Sequence, residues 1–116
     1  MWDVEATDDF ALWFGTLGGA DQERVAAAVE ILAELGPGLG RPFVDTLKGS
    51  RHGNMKELRT RGGHLRVLFA FDPQRTAVLL VGGDKTDRWE RWYADAITRT
   101  DRLYDEHLAD LRRGSQ

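Results

Sequence analysis

The spacing of apolar positions changes twice along the chain, and each change marks a different kind of element. Trp2, Val4 and Ala6 alternate with Asp3 and Glu5, the period of two expected of a short strand. Thr7-Asp8-Asp9 has the chemistry of a helix N-cap, ahead of the apolar residues Phe10, Leu12, Trp13, Phe14 and Leu17. Gly18-Gly19 ends that segment. Asp21 opens a second helix in which Val25, Ala28, Val29, Leu32 and Leu35 recur at helical spacing, closed by Gly36-Pro37-Gly38. Residues 36–54 read as a connection punctuated by Gly and Pro, passing through Leu39, Phe43, Val44 and Leu47.

From Lys56 the period falls to two. Lys56 to Arg59 reads as a strand entering a turn at Gly62-Gly63, and His64 to Phe71 places Leu65, Val67, Phe69 and Phe71 on one face. Asp72-Pro73-Gln74-Arg75 is a turn with Pro at its second position. Thr76 to Val81 is a continuous apolar run, which predicts a central strand covered on both faces. Three successive strands of this kind form an antiparallel meander. Helical spacing returns from Trp89, with Trp92, Ala96, Leu103, Leu108 and Leu111 as packing residues of one helix or a pair. The predicted class is α+β: an N-terminal strand and two helices packed on an antiparallel sheet, then a C-terminal helix. A single domain is expected over residues 1–116, with 94–116 as a helical extension.

Composition narrows the chemistry. The 116 residues include no cysteine, which excludes disulfide scaffolds, zinc ribbons, iron–sulfur clusters and thiol catalysis. The N-terminus lacks the basic start and apolar run of a signal peptide, and no apolar stretch is long enough to span a bilayer. A cytoplasmic protein with no membrane partner is expected. The net charge of −3 conceals an asymmetry: residues 1–40 carry eight acids against Arg24 alone, whereas residues 41–91 carry eleven Lys and Arg against six acids. That distribution predicts one basic surface on an otherwise acidic protein.

Several familiar motifs are absent. Gly36-Pro37-Gly38-Leu39-Gly40 lacks dinucleotide-binding spacing, and in Gly83-Asp84-Lys85-Thr86 an acid intervenes where a phosphate loop needs Gly before Lys. His52, His64 and His107 have no metal-ligand spacing, so neither metal nor cofactor is expected. Ser50 and Ser115 have no nucleophile context, and Asp105-Glu106-His107 reads as a solvated helix face. What remains is a strand cluster. If Leu58 faces the core, Glu57 and Arg59 face away from it, and Arg66 does the same between Leu65 and Val67. Lys85 closes the last strand at the same end. Such a set serves equally as a cross-strand salt bridge or as a site for phosphodiester chemistry. In the latter an RNA 2′-hydroxyl attacks its own phosphate while Arg and Lys stabilise the growing charge.

Leu47-Lys48-Gly49, Met55-Lys56-Glu57-Leu58-Arg59, Leu65-Arg66-Val67-Leu68-Phe69 and Gly82-Gly83-Asp84-Lys85, behind an acidic two-helix start, resemble the RelE/ParE toxin superfamily. Within it they are most similar to the HigB-like, phage Gp49-like branch, over about residues 2–93. The resemblance implies the toxin of a type II toxin–antitoxin pair. Its implied activity is that of a metal-independent, ribosome-dependent mRNA endoribonuclease that inhibits translation. Its implied partners are a cognate antitoxin, expected to be a helix-turn-helix protein, and the ribosome with its mRNA. Carried over by position, Arg66 matches the strand arginine on the scissile phosphate, Lys85 the basic residue ending the last strand, and Arg59 the arginine of the E-L-R element. Glu57, His64 and Lys85 remain alternatives for the general base. Lys48, Arg51, Lys56 and Arg61 are candidate RNA-backbone contacts, and Trp92 or Tyr93 a base-stacking residue, with anchoring of the last helix as the other role for Trp92 and Trp89. The chain departs from the pattern at Glu57 and Leu65, where relatives place Lys and Tyr, and at Asp84 and Asp87 beside Lys85. The departures at Glu57 and Leu65 keep open an inactivated family member that binds protein. The other alternative, a ParE-like gyrase inhibitor that is not an enzyme, would be marked by the absence of a workable catalytic cluster, against which Arg59, Arg66 and Lys85 argue.

Overall fold

The computed structural model describes residues 1–85 and 89–114, without the side chain of Trp89; Asp87 and the anchoring role considered for Trp89 therefore lie outside the described residues. In chain order the elements are β1 (Asp3–Ala6), α1 (Asp8–Gly15), α2 (Gly19–Leu35), a 3-10 turn (Gly36–Gly38), β2 (Val44–Thr46), β3 (Met55–Arg59), β4 (Leu65–Phe71), β5 (Thr76–Asp84) and α3 (Trp89–Gly114). Thr7 caps α1 as its sequence predicts, its Oγ1 accepting from the Phe10 N–H at 3.0 Å, with Asp8 and Asp9 at the positive end of the helix. In the turn before β5 the Asp72 carboxylate accepts from the N–H groups of Gln74 and Thr76.

The five strands lie in the order β1-β5-β4-β3-β2. The meander β3-β4-β5 is antiparallel as predicted, but β1 joins it parallel to β5, so the sheet is mixed. β5 is an interior strand, between β1 and β4, and is buried on both faces along most of its length as its apolar run predicts. It also runs three residues past Val81. The connection expected over 36–54 holds a strand, because Val44–Thr46 pairs with β3 and forms the far edge of the sheet. The C-terminal segment is one helix of 26 residues.

Two cores result. On one face Leu58, Leu65, Val67, Phe69 and Leu79 meet Phe10 of α1 and Val25, Ala28 and Leu32 of α2. On the other, Met55, Leu68, Ala70, Val78, Leu80 and Val81 meet Ala96 and Tyr104 of α3. A register shift opposite Leu68 and Phe69, whose partners are Val81 and Leu79, inserts Leu80 as an extra residue. Such a bulge reverses the faces of everything beyond it. Gly82 consequently faces α1, where a β-carbon would lie 2.1 Å from the Trp13 ring, and Gly83 faces α3, where one would lie 2.2 Å from the Trp92 indole. Each helical layer thus seats one tryptophan on bare backbone.

Candidate functional site

The face of the sheet turned toward α3 carries Met55, Glu57 and Arg59 from β3, and Arg66, Leu68 and Ala70 from β4. Arg59 and Arg66 are paired in register, an arrangement that like charges disfavour. Glu57 resolves it from the same face. Its Oε2 accepts from Arg59 Nη2 at 3.3 Å, and its Oε1 lies 3.3 Å from Arg66 Nε at ion-pair distance but outside hydrogen-bond geometry. Arg66 also donates through Nη1 to the carbonyls of Gly63 at 2.5 Å and Leu65 at 3.0 Å. Burial lowers the Arg66 pKa from its ordinary value; Glu57 opposes that shift and the neighbouring Arg59 adds to it. Both Glu57 and Arg66 are 6% exposed.

Beside this pair a cleft of about 410 Å³ opens between the sheet and the first turns of α3. Lys48, Glu57, Arg59 and Lys85 line the sheet side, with Asp45 of the edge strand; Glu90, Tyr93 and Ile97 line the helix side. Asp45 stands opposite Glu57 in register, and its Oδ2 lies 3.6 Å from Arg59 Nη2 and 3.3 Å from Arg41 Nε. The Thr46 N–H and these arginines hold the Asp45 carboxyl below the usual carboxylate range, against a smaller opposing effect of burial. The Lys85 N–H donates to the His64 carbonyl at 2.7 Å, fixing where the last strand delivers its lysine.

The sequence-derived candidates divide accordingly. Glu57, Arg59, Lys85, Lys48 and Tyr93 share the cleft, with Arg66 directly behind Glu57. The expectation that Arg66 points away from the core requires correction. It does face away from Leu65 and Val67, but α3 packs on that second face as well, and the Arg66 side chain is buried there against Glu57 and the carbonyls of Gly63 and Leu65. His64 does not join the cluster: its Nε2 is 3.8 Å from Asp21 Oδ1 of α2, on the opposite layer. By strand alternation Lys56 shares the face of Leu58, away from Glu57. Arg61 lies on the α2 side, in a groove it shares with Arg24 and Arg59. Trp92 is packed on Gly83, which fits its anchoring role.

Arg51 pairs with Asp105 of α3, and so does His52, whose Nε2 is 2.8 Å from Asp105 Oδ1. The His52 contact first, then Arg51, lowers the Asp105 pKa against a smaller opposing effect of burial. His107 Nε2 lies 2.8 Å from Asp72 Oδ2. The segment Asp105-Glu106-His107 is therefore not a solvated face, because two of its three side chains bind the loops that α3 crosses. Sequence reasoning missed Asp45 because it lay in the presumed connection; Val44-Asp45-Thr46 is too short for alternation to stand out. Among the described residues no three His, Asp or Glu are grouped to hold a metal ion.

A family model for phage-derived Gp49-like proteins matches residues 12–105. The chain belongs to the Gp49-like family. It is 50% identical over 102 residues to HigB2 of Mycobacterium tuberculosis, named as a toxin, covering 85% of this chain and 51% of that relative. It is 45% identical over 102 residues to HigB3 of the same organism, also named as a toxin, covering 88% of this chain and 90% of the relative. The chain thus spans about half the length of the one relative and nine-tenths of the other. In fold, this Gp49-like chain is similar to the isolated RelE toxin of E. coli, with a TM-score of 0.61 at 15% identity over 85% of this chain and 98% of that one. It is also similar to the archaeal RelE–RelB complex of Pyrococcus horikoshii, with a TM-score of 0.57 at 20% identity over 74% and 97%. The resemblance to the HigB-like branch and the α+β, RelE-like fold with a C-terminal helix are both borne out. No helix among the described residues is long and apolar enough to cross a membrane.

Proposed function

We propose that this chain is the toxin of a type II toxin–antitoxin pair and acts as a ribosome-dependent mRNA endoribonuclease, neutralised by an antitoxin. The observation that carries the reading is the cleft, whose sheet side is lined by Lys48, Arg59 and Lys85 together with Glu57. The toxin names of the relatives and the fold shared with RelE support it.

Cleavage proceeds by in-line attack of an RNA 2′-hydroxyl. Glu57 accepts the hydroxyl proton, the 2′-oxygen bonds to phosphorus, and the bond to the 5′-oxygen breaks. Lys85 protonates the departing oxygen, leaving a 2′,3′-cyclic phosphate and a 5′-hydroxyl. Arg59, one-third exposed, leaves Glu57 for the phosphate as RNA enters, and so uncovers the base. Lys48 tracks the backbone, and Tyr93 offers a ring for stacking. Arg66 holds Glu57 in place from behind. The burial of Arg66 favours a second reading, a family member that binds without cleaving.

Induced expression followed by mapping of mRNA 5′ ends separates the two. Cuts within translated regions that vanish with Glu57→Gln and with Lys85→Ala support the enzyme. Growth arrest with intact mRNA refutes it.

A further inference from the structure

A second concavity lies on the opposite layer, between α2 and the outer strands, with a volume of about 450 Å³. Its lining positions on α2 recur at one helical face, and its floor is apolar: Ala27, Ala28 and Ile31 from the helix and Phe43 from the segment before β2. Ile31 and Phe43 remain partly exposed after the sheet and helices have packed. The rim is predominantly basic. Arg24, the sole basic residue among the first forty, meets Arg59 and Arg61 here beside one acid, Glu23, although the other charged side chains of α2 are all acidic. Arg24 is engaged by Asp21 on its own helix at 2.7 Å, whereas Arg61 makes no ion pair among the described residues.

We propose that this groove docks an acidic amphipathic segment of the neutralising protein, one that seats an apolar side chain on Ile31 and Phe43 between carboxylates facing Arg24, Arg59 and Arg61. The inference rests on the toxin–antitoxin reading and adds to it a place and a consequence. Arg59 lines both this groove and the cleft, so a carboxylate bound in the groove competes with Glu57 for the same guanidinium. The partner thereby acts on the cleft from the far layer without filling it. Charge complementarity across such a surface sets partner choice and association rate.

The test uses the purified product of the reading frame adjoining that of this chain, with binding measured by calorimetry. Ala27→Glu, at an exposed helix position, and Ile31→Glu each place a carboxylate in the groove; Lys48→Glu reverses a charge in the cleft. Circular dichroism melts establish that each variant is folded, and Ala27→Glu keeps the test valid should Ile31→Glu unfold. The expected result is at least a 100-fold weaker complex for the groove variants and no more than a threefold change for Lys48→Glu. Wild-type affinity in Ala27→Glu, with binding lost in Lys48→Glu, overturns the groove and puts the partner in the cleft. Failure of the wild-type chain to bind the adjoining product overturns the partner reading itself, and the groove's occupant with it.

Discussion

Replacing Gly83 with alanine tests how the cleft is built, because it adds one methyl group between β5 and α3. The new β-carbon would lie 2.2 Å from three atoms of the Trp92 indole, whereas ordinary contact begins near 3.4 Å. The ring must retreat by more than 1 Å, and it sits one residue before Tyr93 on the helix turn that walls the cleft. Overpacking of this kind costs about 1–3 kcal/mol. The loss of glycine's unfolded-state freedom returns about 0.4–1 kcal/mol. The net loss is about 1–2 kcal/mol, or about 4–8 °C in Tm for a chain of this size. Gly82→Ala is the matched control, since its β-carbon would lie 2.1 Å from Trp13 on the other layer. Both variants should melt at similar temperatures, but only Gly83→Ala should change RNA affinity. Urea denaturation of Gly83→Ala, Trp92→Ala and the double variant forms a cycle with a coupling of about 1–2 kcal/mol. Additive costs, or an equal loss of RNA binding in both glycine variants, would refute the reasoning.

Glu57→Gln removes the charge that compensates buried Arg66. Stability should fall by about 3 kcal/mol, the lower end for a broken buried pair because two carbonyls still hold Arg66; urea midpoints near wild type would contradict this. Lys48→Ala should leave the melt unchanged, weaken RNA binding similarly for all sequences, and reduce the salt slope of log Kd by about 1. The Asp105 and Asp45 carboxyls have lowered pKa values in the folded protein. Their stabilising contributions are complete above the ordinary carboxylate value near 3.8 and are lost as pH falls through the lower folded values. Acid unfolding of Asp105→Asn should therefore show a shallower dependence below that value than the wild type, read by circular dichroism.

The elements most legible in the sequence were those with one strong period. The α1 cap, the α2 stripe as far as Leu32 and the alternation of β3 and β4 each follow from local chemistry that the fold does not override, whereas Leu35, at the end of α2, is left exposed. β2 was hidden because three residues cannot display a period, and β1's parallel pairing because strand order is not a local property. The functional cluster was half legible. Alternation correctly placed Glu57, Arg59 and Arg66 on one face, yet it carries no information about what packs on that face, so the burial of Arg66 emerges only in three dimensions. His64 was misplaced for a related reason: it precedes the first paired residue of β4, where alternation no longer constrains direction. Gly82-Gly83 was visible as a motif, but its role as a seat for two tryptophans depends on the bulge that sets which glycine faces which layer.

The central claim is that the RNA supplies its own nucleophile to a cleft built around Glu57, Arg59 and Lys85. It is tested most directly with purified protein, programmed ribosomes and an mRNA carrying a single 2′-deoxy nucleotide at a mapped cut. Cleavage should disappear at that position alone and persist at the others, with products ending in 2′,3′-cyclic phosphate. Cleavage that continues at the deoxy position would contradict the account.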